Sequence, residues 1–568
     1  MSPAISVDTA ISSKGILPRA DSLTGPLIHS LRDKWQRFFP PDEPRWPIYS
    51  FAGLWILELL FLQGILSRDT RPPQWDPASH LTMALDFYFP LHQFQLDRFF
   101  KQLLFRPKPY PPLFHCAVAV WYLITGPSHQ YAALVNSLFL FVTFLGFYLF
   151  GRELRLRDRG WLCAVIFSAF PIVIWMSREA LIDLSVISFT LLFAALICSE
   201  DFLRDKKATR WSGLVFSLGL LSKQSFVFFA IPILVYRLVQ SRRVCDRSVW
   251  KKNLMCFSRW ASISVVWYIL QVPSMIRTAL RVHQAALLRS DPMPLTWSGI
   301  TYYLRMFWQD QANGWILAVL LIGVILAFIP FKHEKETGTH KTFFFIWVLA
   351  GYAGITFFVM GKDGRYDMPI VPAVILLAGI GIDRLPGFVW KALVVAVGVL
   401  FLGTVGYFSG GPDKTVGVIK FFSSRPMVRL YQCPGIDRDM IEPKNEDWHV
   451  EEIIDGLVSR RGLKASIWVG VVPQAQFFNP AAFLYFTRLR RASFQIEDFR
   501  LISDVPRALA KMDYLIRKTG DQGPEYATRP NNAIYAYLDA HSNEFTVISS
   551  LTLPDGSTAD LLEIRHNK

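Results

Sequence analysis

Charged residues are scarce in this sequence of 568 residues, at 18% of the total. Soluble domains contain about 25% charged residues, and the deficit here is concentrated in repeated apolar blocks. This pattern excludes a disordered chain, a fibrous protein and an ordinary soluble enzyme. The net charge of +15 lies mostly in short segments between those blocks, whereas a nucleic-acid binder would cluster it on one face. The charge therefore indicates membrane topology, and no nucleic-acid partner is expected.

Cysteine is scarce too. The six cysteines lie mostly within or beside apolar blocks, with no pair at C-x-x-C spacing, so neither a disulfide framework nor a zinc site is expected. Asn-x-Ser/Thr sequons are absent, and the polar, mixed-charge residues 1–46 do not resemble a cleavable signal peptide. The lack of sequons and disulfides favours a bacterial inner (plasma) membrane over the endoplasmic reticulum.

Long apolar runs are what the sequence has in excess. A membrane-spanning helix needs about 20 mostly apolar residues. The stretches that meet or approach this length are 47–66, 131–151, 160–176, 181–198, 211–222, 225–238, 260–276, 313–330, 342–360, 367–382 and 388–408. A further apolar stretch, 111–126, begins with two prolines and fits either a twelfth span or a helix half immersed beside the membrane.

The distribution of basic residues selects between these two topologies. Lys and Arg accumulate in cytoplasmic loops and set the orientation of a membrane protein. The gaps rich in Lys and Arg are 152–159, 199–210, 236–259 and 331–341. All four lie on the cytoplasmic side only if 111–126 does not cross. The result is eleven spans, a cytoplasmic N-terminus and an extracytoplasmic C-terminus.

The predicted fold is mainly α, a polytopic membrane helical bundle of about eleven spans followed by a soluble α/β domain. Residues 1–46 form a cytoplasmic segment, 47–409 the transmembrane domain with an outer loop at 67–110, and 410–568 an extracytoplasmic α/β domain. Within the last region, apolar periodicity predicts strands at 464–472, 512–518 and 545–553 and helices near 447–461, 478–490 and 531–541.

Ionisable residues within or at the edge of membrane spans are costly and usually functional. In the predicted topology the candidates gather on the outer side: Asp76, Arg178, Asp183, Lys223, Lys362, Arg365 and Tyr366. Cations that converge at a membrane surface suit an anionic lipid headgroup, and they would stabilise the charge of a departing phosphate. A carboxylate opposite them, Asp76, suits a general base that acts on a hydroxyl acceptor.

Each of these candidates also has a purely structural interpretation. Asp76 is positioned to cap a helix that starts at the next residue, a proline. Arg178 and Asp183 are close enough in sequence to form a salt bridge between neighbouring helices. Lys362 and Arg365 fit interfacial residues that extend their charged ends from the membrane to water.

Five ordered pieces of the sequence resemble the GT-C superfamily of polytopic glycosyltransferases. The likeness is to the family-39/ArnT-like and RgtA-type branch, which uses polyprenyl-phosphate sugars, and it extends over roughly residues 47–385. The pieces are WDPASHLTMAL, YPPLFH, SREALIDLSVISF, GLLSKQSFVFFAIP and KDGRYDMPIVPAVILLAG. The resemblance implies that Asp76 is the catalytic base. It also implies a set of residues that hold or face the substrate and its lipid phosphate: Arg178, Asp183, Lys223, Lys362, Arg365 and Tyr366.

The sequence departs from the family pattern in two places. The family's Asp-Glu pair is Asp76-Pro77 here, so the second carboxylate of a divalent-metal pair is missing, and no cofactor is expected. The Lys of the family's K-P-P-L motif is Tyr110, and Lys108 is the candidate to reach the same phosphate. His80 has no second His or Cys at ligand spacing, which favours packing or substrate contact over metal ligation.

The resemblance and the residues together predict an inverting hexosyl- or pentosyltransferase. It would move a sugar from a polyprenyl-phosphate donor to a hydroxyl of a lipid, glycan or protein acceptor on the extracytoplasmic face, with membrane lipids around it. The same cations fit a carrier or flippase for a lipid-linked anion, although no internal repeat of the kind common in transporters supports it. An inactive or scaffolding relative is a third interpretation. Residues 410–568 would bind the acceptor or shield the site from water.

Overall fold

The computed structural model describes residues 46–156, 160–330, 338–410, 418–419, 428–429, 431, 438–460, 466–502 and 504–565. Nearly all of them belong to one compact unit, Phe51–Lys568. Of the other unit, Met1–Ser50, only residues 46–50 are described, and they form the start of the first helix. Most of the predicted cytoplasmic segment 1–46 therefore lies outside the described residues.

Helices dominate the described chain. In order they are α1 (Trp46–Leu66), α2 (Trp75–His92), α3 (Leu96–Leu104), α4 (Leu113–Thr125), α5 (His129–Ala132), α6 (Val135–Glu153), α7 (Gly160–Ser168), α8 (Pro171–Arg178), α9 (Asp183–Cys198), α10 (Lys206–Ser222), α11 (Phe226–Val244), α12 (Arg247–Ala261), α13 (Ile263–Leu288), α14 (Trp297–Ile300), α15 (Tyr302–Met306), α16 (Gly314–Phe328), α17 (Gly338–Phe358), α18 (Val371–Ile382), α19 (Gly387–Tyr407), α20 (Arg438–Ile441), α21 (Val450–Arg460), α22 (Pro480–Leu489), α23 (Val505–Leu509), α24 (Glu525–Thr528) and α25 (Asn531–Ala540). A π-helical turn, Phe307–Gln311, and 3-10 turns at Met368–Ile370, Phe499–Leu501 and Ser542–Glu544 complete the helical structure.

Several of these helices are long and apolar enough to cross a membrane, which confirms the predicted membrane helical bundle. Among the described residues, five helices meet the requirement by length and composition, or six if α7 and α8, bent by 70°, form one span. The bend falls where Pro171 starts α8, because proline fits the first position of a helix but cannot continue the preceding one. Each of the eleven predicted spans coincides with one or more helices. Four apolar helices are shorter than a full span: three of them correspond to predicted spans, and the fourth is α4, in the additional stretch 111–126. The number eleven stays a prediction.

The two short predicted spans at 211–238 are longer as helices. Asp205 caps α10, since its side chain accepts a hydrogen bond from the backbone N–H of Ala208 at 2.7 Å. The helix therefore starts at Lys206, five residues before the apolar stretch. At the other end, α11 continues through basic residues to Val244. Both helices extend beyond their apolar stretches through polar and basic residues, and the length of an apolar stretch does not predict these extensions.

Two buried helices lie at the centre of the bundle and position the site. Nearly every residue of α9 is buried. Every residue of α18 except Val374 is buried as well. The backbones of α18 and α16 approach each other closely at Gly381 and Gly323. A Cβ atom on Gly381 would lie only 1.9 Å from the carbonyl oxygen of Gly323, so this contact requires glycine at position 381. The turns that precede α9 and α18 carry the polar candidates.

The C-terminal region forms a mixed five-stranded sheet. Its strands are β3 (Ile467–Val471), β4 (Phe494–Asp498), β5 (Tyr514–Lys518), β6 (Phe545–Thr552) and β7 (Thr558–Ile564), with β1 (Val418–Ile419) and β2 (Val428–Arg429) forming a separate pair. The order is β4-β3-β5-β7-β6, with β3 parallel to β4 and β5, and β7 antiparallel to β5 and β6. The three predicted strands and three predicted helices are present. β4 and β7, which carry charged residues among their apolar ones, were not predicted.

The sheet region contacts the loop that leads to α2. The indole Nε1 of Trp75 donates a hydrogen bond to the carbonyl oxygen of Gln474 at 3.2 Å. The Arg71 guanidinium lies 4.5 Å from the ring centroid of Phe477 and donates to the carbonyl oxygen of Glu442 at 2.7 Å. These contacts brace the start of α2 from outside the helical bundle. The predicted domain boundary between 409 and 410 stays a prediction.

Candidate active site

Asp76 lies in the first turn of α2 and contacts a cation that is 289 positions later in the chain. The helix starts at Trp75 with Gln74 at the cap position, so the expectation that Asp76 caps a helix starting at Pro77 is wrong. An acidic residue in the first turn is favoured by the helix dipole. Its side chain is 56% exposed and accepts a hydrogen bond from Nη2 of Arg365 at 2.9 Å.

Arg365 is the centre of this cluster. Its Nε and Nη2 donate to the two carboxylate oxygens of Asp363 at 2.9 and 2.6 Å, a two-point contact that fixes the guanidinium plane. Nη1 lies 3.8 Å from a carboxylate oxygen of Asp183. The guanidinium carbon is also 5.4 Å from the ring centroid of Trp175. Arg365 is thereby held in one orientation with only 7% of its side chain exposed.

Lys223 approaches the same cluster from the end of α10. Its Nζ is 2.8 Å from Asp183 Oδ1 and 4.2 Å from the ring centroid of Tyr366, within range of a cation–π contact. Asp183 begins α9, so its carboxylate links the two cations, Lys223 and Arg365. The structure thus brings together the early acid and the two late cations that the sequence predicted to meet.

The charges in this site nearly cancel. We call Asp76, Asp183, Lys223, Asp363 and Arg365 the Asp76 cluster; it has three carboxylates and two cations. Burial disfavours ionisation of Asp363, but Arg365 outweighs it and keeps the pKa of that carboxyl below its ordinary value. Burial likewise opposes the charge of Arg365, and Asp363 and Asp183 raise its pKa well above the ordinary value. Both groups therefore carry their charges at neutral pH.

Aromatic and imidazole rings form one wall beside the cluster. His80 Nδ1 lies 3.1 Å from His115 Nε2, and the ring centroids of His80 and Tyr110 are 5.0 Å apart. Burial, then the charges of Lys223 and Arg365, lower the pKa of His80 to about 3. His80 is therefore neutral, and that it contacts substrate stays a prediction. Burial and the nearby Asp76 raise the pKa of Tyr110, which keeps its hydroxyl protonated.

Arg178 does not join the Asp76 cluster. Its guanidinium donates to the carbonyl oxygen of Phe408, to that of Ile441 at 3.2 Å and to the hydroxyl of Ser409 at 3.1 Å. The alternative of a salt bridge with Asp183 is also wrong, because Asp183 pairs with Lys223. Arg178 instead ties the end of α8 to the segment that follows α19.

Lys362 and Lys108 are also bound to other partners. Lys362 Nζ donates to the carbonyl oxygens of Thr356 and Val359 at 2.7 and 2.8 Å, which satisfies the end of α17. Burial lowers the pKa of Lys362 to about 8. Lys108 Nζ pairs with Asp86 at 2.6 Å. That a donor phosphate binds Lys108, Arg178 or Lys362 stays a prediction.

The sequence predicted no role for three polar residues near the site, of which one is buried and two are half-buried. These are Asp363, which orients Arg365, His115, which contacts His80, and Glu179, which follows α8. The available signal for Asp363 was its position two residues before Arg365 in the same turn. Among the residues that the structure describes, no group of three or more His, Cys, Asp or Glu is arranged to hold a metal ion.

Glu179 is a half-buried acid that lies between α8 and α9. Its Oε1 accepts a hydrogen bond from Gln74 Nε2 at 3.0 Å, which links it to the residue immediately before α2. Burial, reinforced by Asp69, raises the pKa of Glu179 from its ordinary 4.5 to about 8, although Arg71 and Arg365 oppose this shift. The folded protein therefore holds this proton more tightly than the unfolded chain.

We expect this proton to make stability fall with rising pH. The stabilisation from the Glu179 proton is complete below about pH 4.5 and is lost as pH rises through about 8, because the pKa of Glu179 is higher in the folded protein than in the unfolded chain. Glu179→Gln lacks this titrating group, so its stability should depend less on pH than that of the wild type. Between about pH 4.5 and 8 the stability difference between the two proteins should change by about 1 kcal/mol or more. Thermal unfolding of detergent-solubilised protein at several pH values measures this. The exposed Glu525, changed to Gln, is the control, and equal pH slopes for all three proteins would contradict the expectation.

Comparison with known proteins supports the predicted class. The family described as dolichyl-phosphate-mannose-protein mannosyltransferase matches residues 109–269. This segment includes Tyr110, Asp183 and Lys223, and leaves Asp76 and Arg365 outside the match. No curated protein matches the sequence.

Solved structures of two other proteins are similar to this chain. ArnT from Cupriavidus metallidurans, in a crystal structure bound to undecaprenyl phosphate, is 13% identical with a TM-score of 0.49, covering 91% of this chain and 98% of ArnT. The apo crystal structure of the same protein gives 12% identity and a TM-score of 0.48, with coverages of 90% and 97%. The arabinofuranosyltransferase AftD from Mycobacteria, solved by cryo-EM, gives 12% identity and a TM-score of 0.49, covering 92% of this chain and 40% of AftD.

The fold and the family match define a class. The chain is an integral, multi-pass membrane protein with a helical bundle and a C-terminal sheet region. Its resemblance to the GT-C glycosyltransferases, predicted from five sequence pieces, is confirmed by the family match over residues 109–269.

Proposed function

We propose that the protein is an inverting glycosyltransferase that moves a sugar from a polyprenyl-phosphate donor to an acceptor hydroxyl. The observation that carries this proposal is the half-exposed carboxylate of Asp76 in contact with the buried Arg365, which Asp183 links to the largely buried Lys223. A base next to an anion-binding group is what transfer from a phosphate leaving group requires. The description of the matching family, which names a dolichyl-phosphate sugar, supports a lipid-linked donor.

In the proposed reaction, Asp76 accepts the proton of the acceptor hydroxyl. The acceptor oxygen attacks C1 of the sugar from the side opposite the phosphate and forms the new C1–O bond. The old C1–O bond to phosphate breaks, and its electron pair leaves with the phosphate oxygen. The products are the glycosylated acceptor, inverted at C1, and the polyprenyl phosphate. Asp76 then releases its proton to water.

Lys223 and Arg365 serve as the phosphate-binding cations in this proposal. Both are fixed before substrate arrives, because Asp183 and Asp363 hold them through ion pairs. Preorganised charge stabilises a developing anion without further rearrangement. Tyr366, whose ring lies under Lys223, and Tyr110 would line the same space.

The membrane geometry supports a lipid-anchored donor on the extracytoplasmic side. Lys223 follows α10, Asp183 begins α9 and Arg365 precedes α18, so the cluster lies at one end of the apolar helices. A lipid whose chain is in the bilayer presents its phosphate at this level. The excess of Lys and Arg in the opposite loops indicates that this end faces away from the cytoplasm, which fits a bacterial inner membrane.

Reconstitution with a radiolabelled polyprenyl-phosphate sugar tests the proposal. We expect label to move from the lipid to an acceptor fraction, with release of polyprenyl phosphate in equal amount. A carrier or flippase would instead move the intact lipid across the bilayer without consuming it. Translocation of unconsumed donor, together with no transfer to lipid, glycan or protein acceptors, would overturn the proposal.

A further inference from the structure

The contact between Asp76 and Arg365 has a consequence for the order of events. As a general base, Asp76 must offer a carboxylate oxygen to the acceptor hydroxyl. In the structure one of these oxygens, Oδ2, accepts a hydrogen bond from Arg365 Nη2 at 2.9 Å. A charge-assisted hydrogen bond of this kind is a strong, directional contact that occupies the oxygen and fixes the position of the carboxylate. The base is therefore restrained by the same cation that is proposed to bind the donor.

The three acids of the Asp76 cluster are not held equally. Asp363 makes two hydrogen bonds to the Arg365 side chain, and Asp183 is bound by Lys223 at 2.8 Å with only 7% of its side chain exposed. Asp76 makes a single bond to Arg365 and is 56% exposed. Of the three, Asp76 is the one that can leave its cation for water at low cost.

A bound donor phosphate would change the charge balance of the cluster. With three carboxylates and two cations the cluster already has one excess negative charge. The phosphodiester of a polyprenyl-phosphate sugar adds another, and like charges in a partly buried site repel. The repulsion is relieved if the most weakly held carboxylate moves away from Arg365.

We propose that donor phosphate and Asp76 compete for Arg365, so that donor binding releases the general base. This inference rests on the proposed function and specifies its order, donor first and acceptor second. Asp363 acts as a positioning residue, since its two-point contact holds the Arg365 guanidinium in place while the other partner is exchanged. Before donor binds, Asp76 remains restrained and the site has little capacity to activate water or a stray hydroxyl.

Binding of undecaprenyl phosphate to the purified full-length protein tests the competition. Asp76→Asn removes the competing charge with little change in shape, so we expect Kd to fall about fivefold, the scale of one partly exposed ion pair. Asp97→Asn is the matched control, because it removes the same charge from an exposed residue of α3 within the same segment, 67–110, that was predicted to form an outer loop. Arg365→Gln should weaken binding, and adding Asp76→Asn to it should then have no further effect.

Each outcome separates the inference from the proposed function. Equal affinity in wild type and Asp76→Asn, an equal gain in Asp97→Asn, or the same gain in the Arg365→Gln background would overturn the competition. The proposed function would survive those results. Failure of the wild type to bind undecaprenyl phosphate at all would overturn the proposed function itself.

Discussion

Asp76→Asn should lower the rate of sugar transfer by about 10²- to 10⁴-fold, the usual contribution of a positioned general base. Asparagine keeps the shape of the side chain and can still contact Arg365 Nη2, which lies 2.9 Å from Asp76 Oδ2, but it cannot take the acceptor proton. The measurement is kcat for transfer from a polyprenyl-phosphate sugar to its acceptor by reconstituted protein. Donor binding should not be weakened in the same variant.

The control for this experiment is Asp97→Asn, because Asp97 is exposed on α3 within the same segment, 67–110, that was predicted to form an outer loop. It should transfer sugar at the wild-type rate. Comparable thermal midpoints of the three proteins show that folding is not the cause of any loss. Near-normal transfer by Asp76→Asn would remove Asp76 from the chemistry, even if the remainder of the site holds the donor.

Arg365→Gln should reduce both transfer and stability. The substitution removes the guanidinium that pairs with Asp363 and lies near Asp183. These two partly buried carboxylates then lack a neighbouring positive charge. Breaking a buried ion pair from one side costs about 3–5 kcal/mol, here reduced because Asp363 is 28% exposed. Loss of a cation that stabilises the leaving phosphate should lower kcat by about 10²- to 10³-fold.

Two further variants separate these effects. Arg365→Lys keeps the charge but not the planar two-point contact with Asp363, so it should recover part of the stability and little of the transfer. Arg517→Gln breaks a comparable Arg–Asp pair, with Asp560 at 2.9 Å in the C-terminal sheet. It should change stability slightly and transfer not at all. Full transfer by Arg365→Gln would show that the donor phosphate is bound elsewhere.

The convergence of Asp76, Lys223 and Arg365 was predictable from the sequence because each lies in a loop or turn that connects apolar runs. Apolar runs about one bilayer long define helices, and the Lys and Arg of the intervening loops assign each end to a side. Residues at turns on the same side are then confined to one thin layer. The motifs implied the same neighbours independently. The three strands and three helices expected after residue 445 followed likewise from local periodicity.

The pairing pattern within that layer was not predictable. Arg178, Lys362 and Lys108 are as basic and as near to apolar runs as Lys223, yet each is bound to backbone carbonyls or to another acid. Which partner a long flexible side chain reaches depends on distances of one or two ångströms between helices. Sequence periodicity contains no information on that scale.

The amino-acid sequence by itself determined the helical membrane architecture, the chemistry of the side chains available on one side of it and the likeness to polytopic glycosyltransferases. It could do so because burial of apolar runs and exclusion of charge from lipid act along the chain, one segment at a time. Only the tertiary structure decided that Asp363 holds Arg365, that Arg365 restrains Asp76 and that three other cations are committed elsewhere. Those contacts join residues up to 289 positions apart, and their energies depend on helix packing that exists only once the chain is folded.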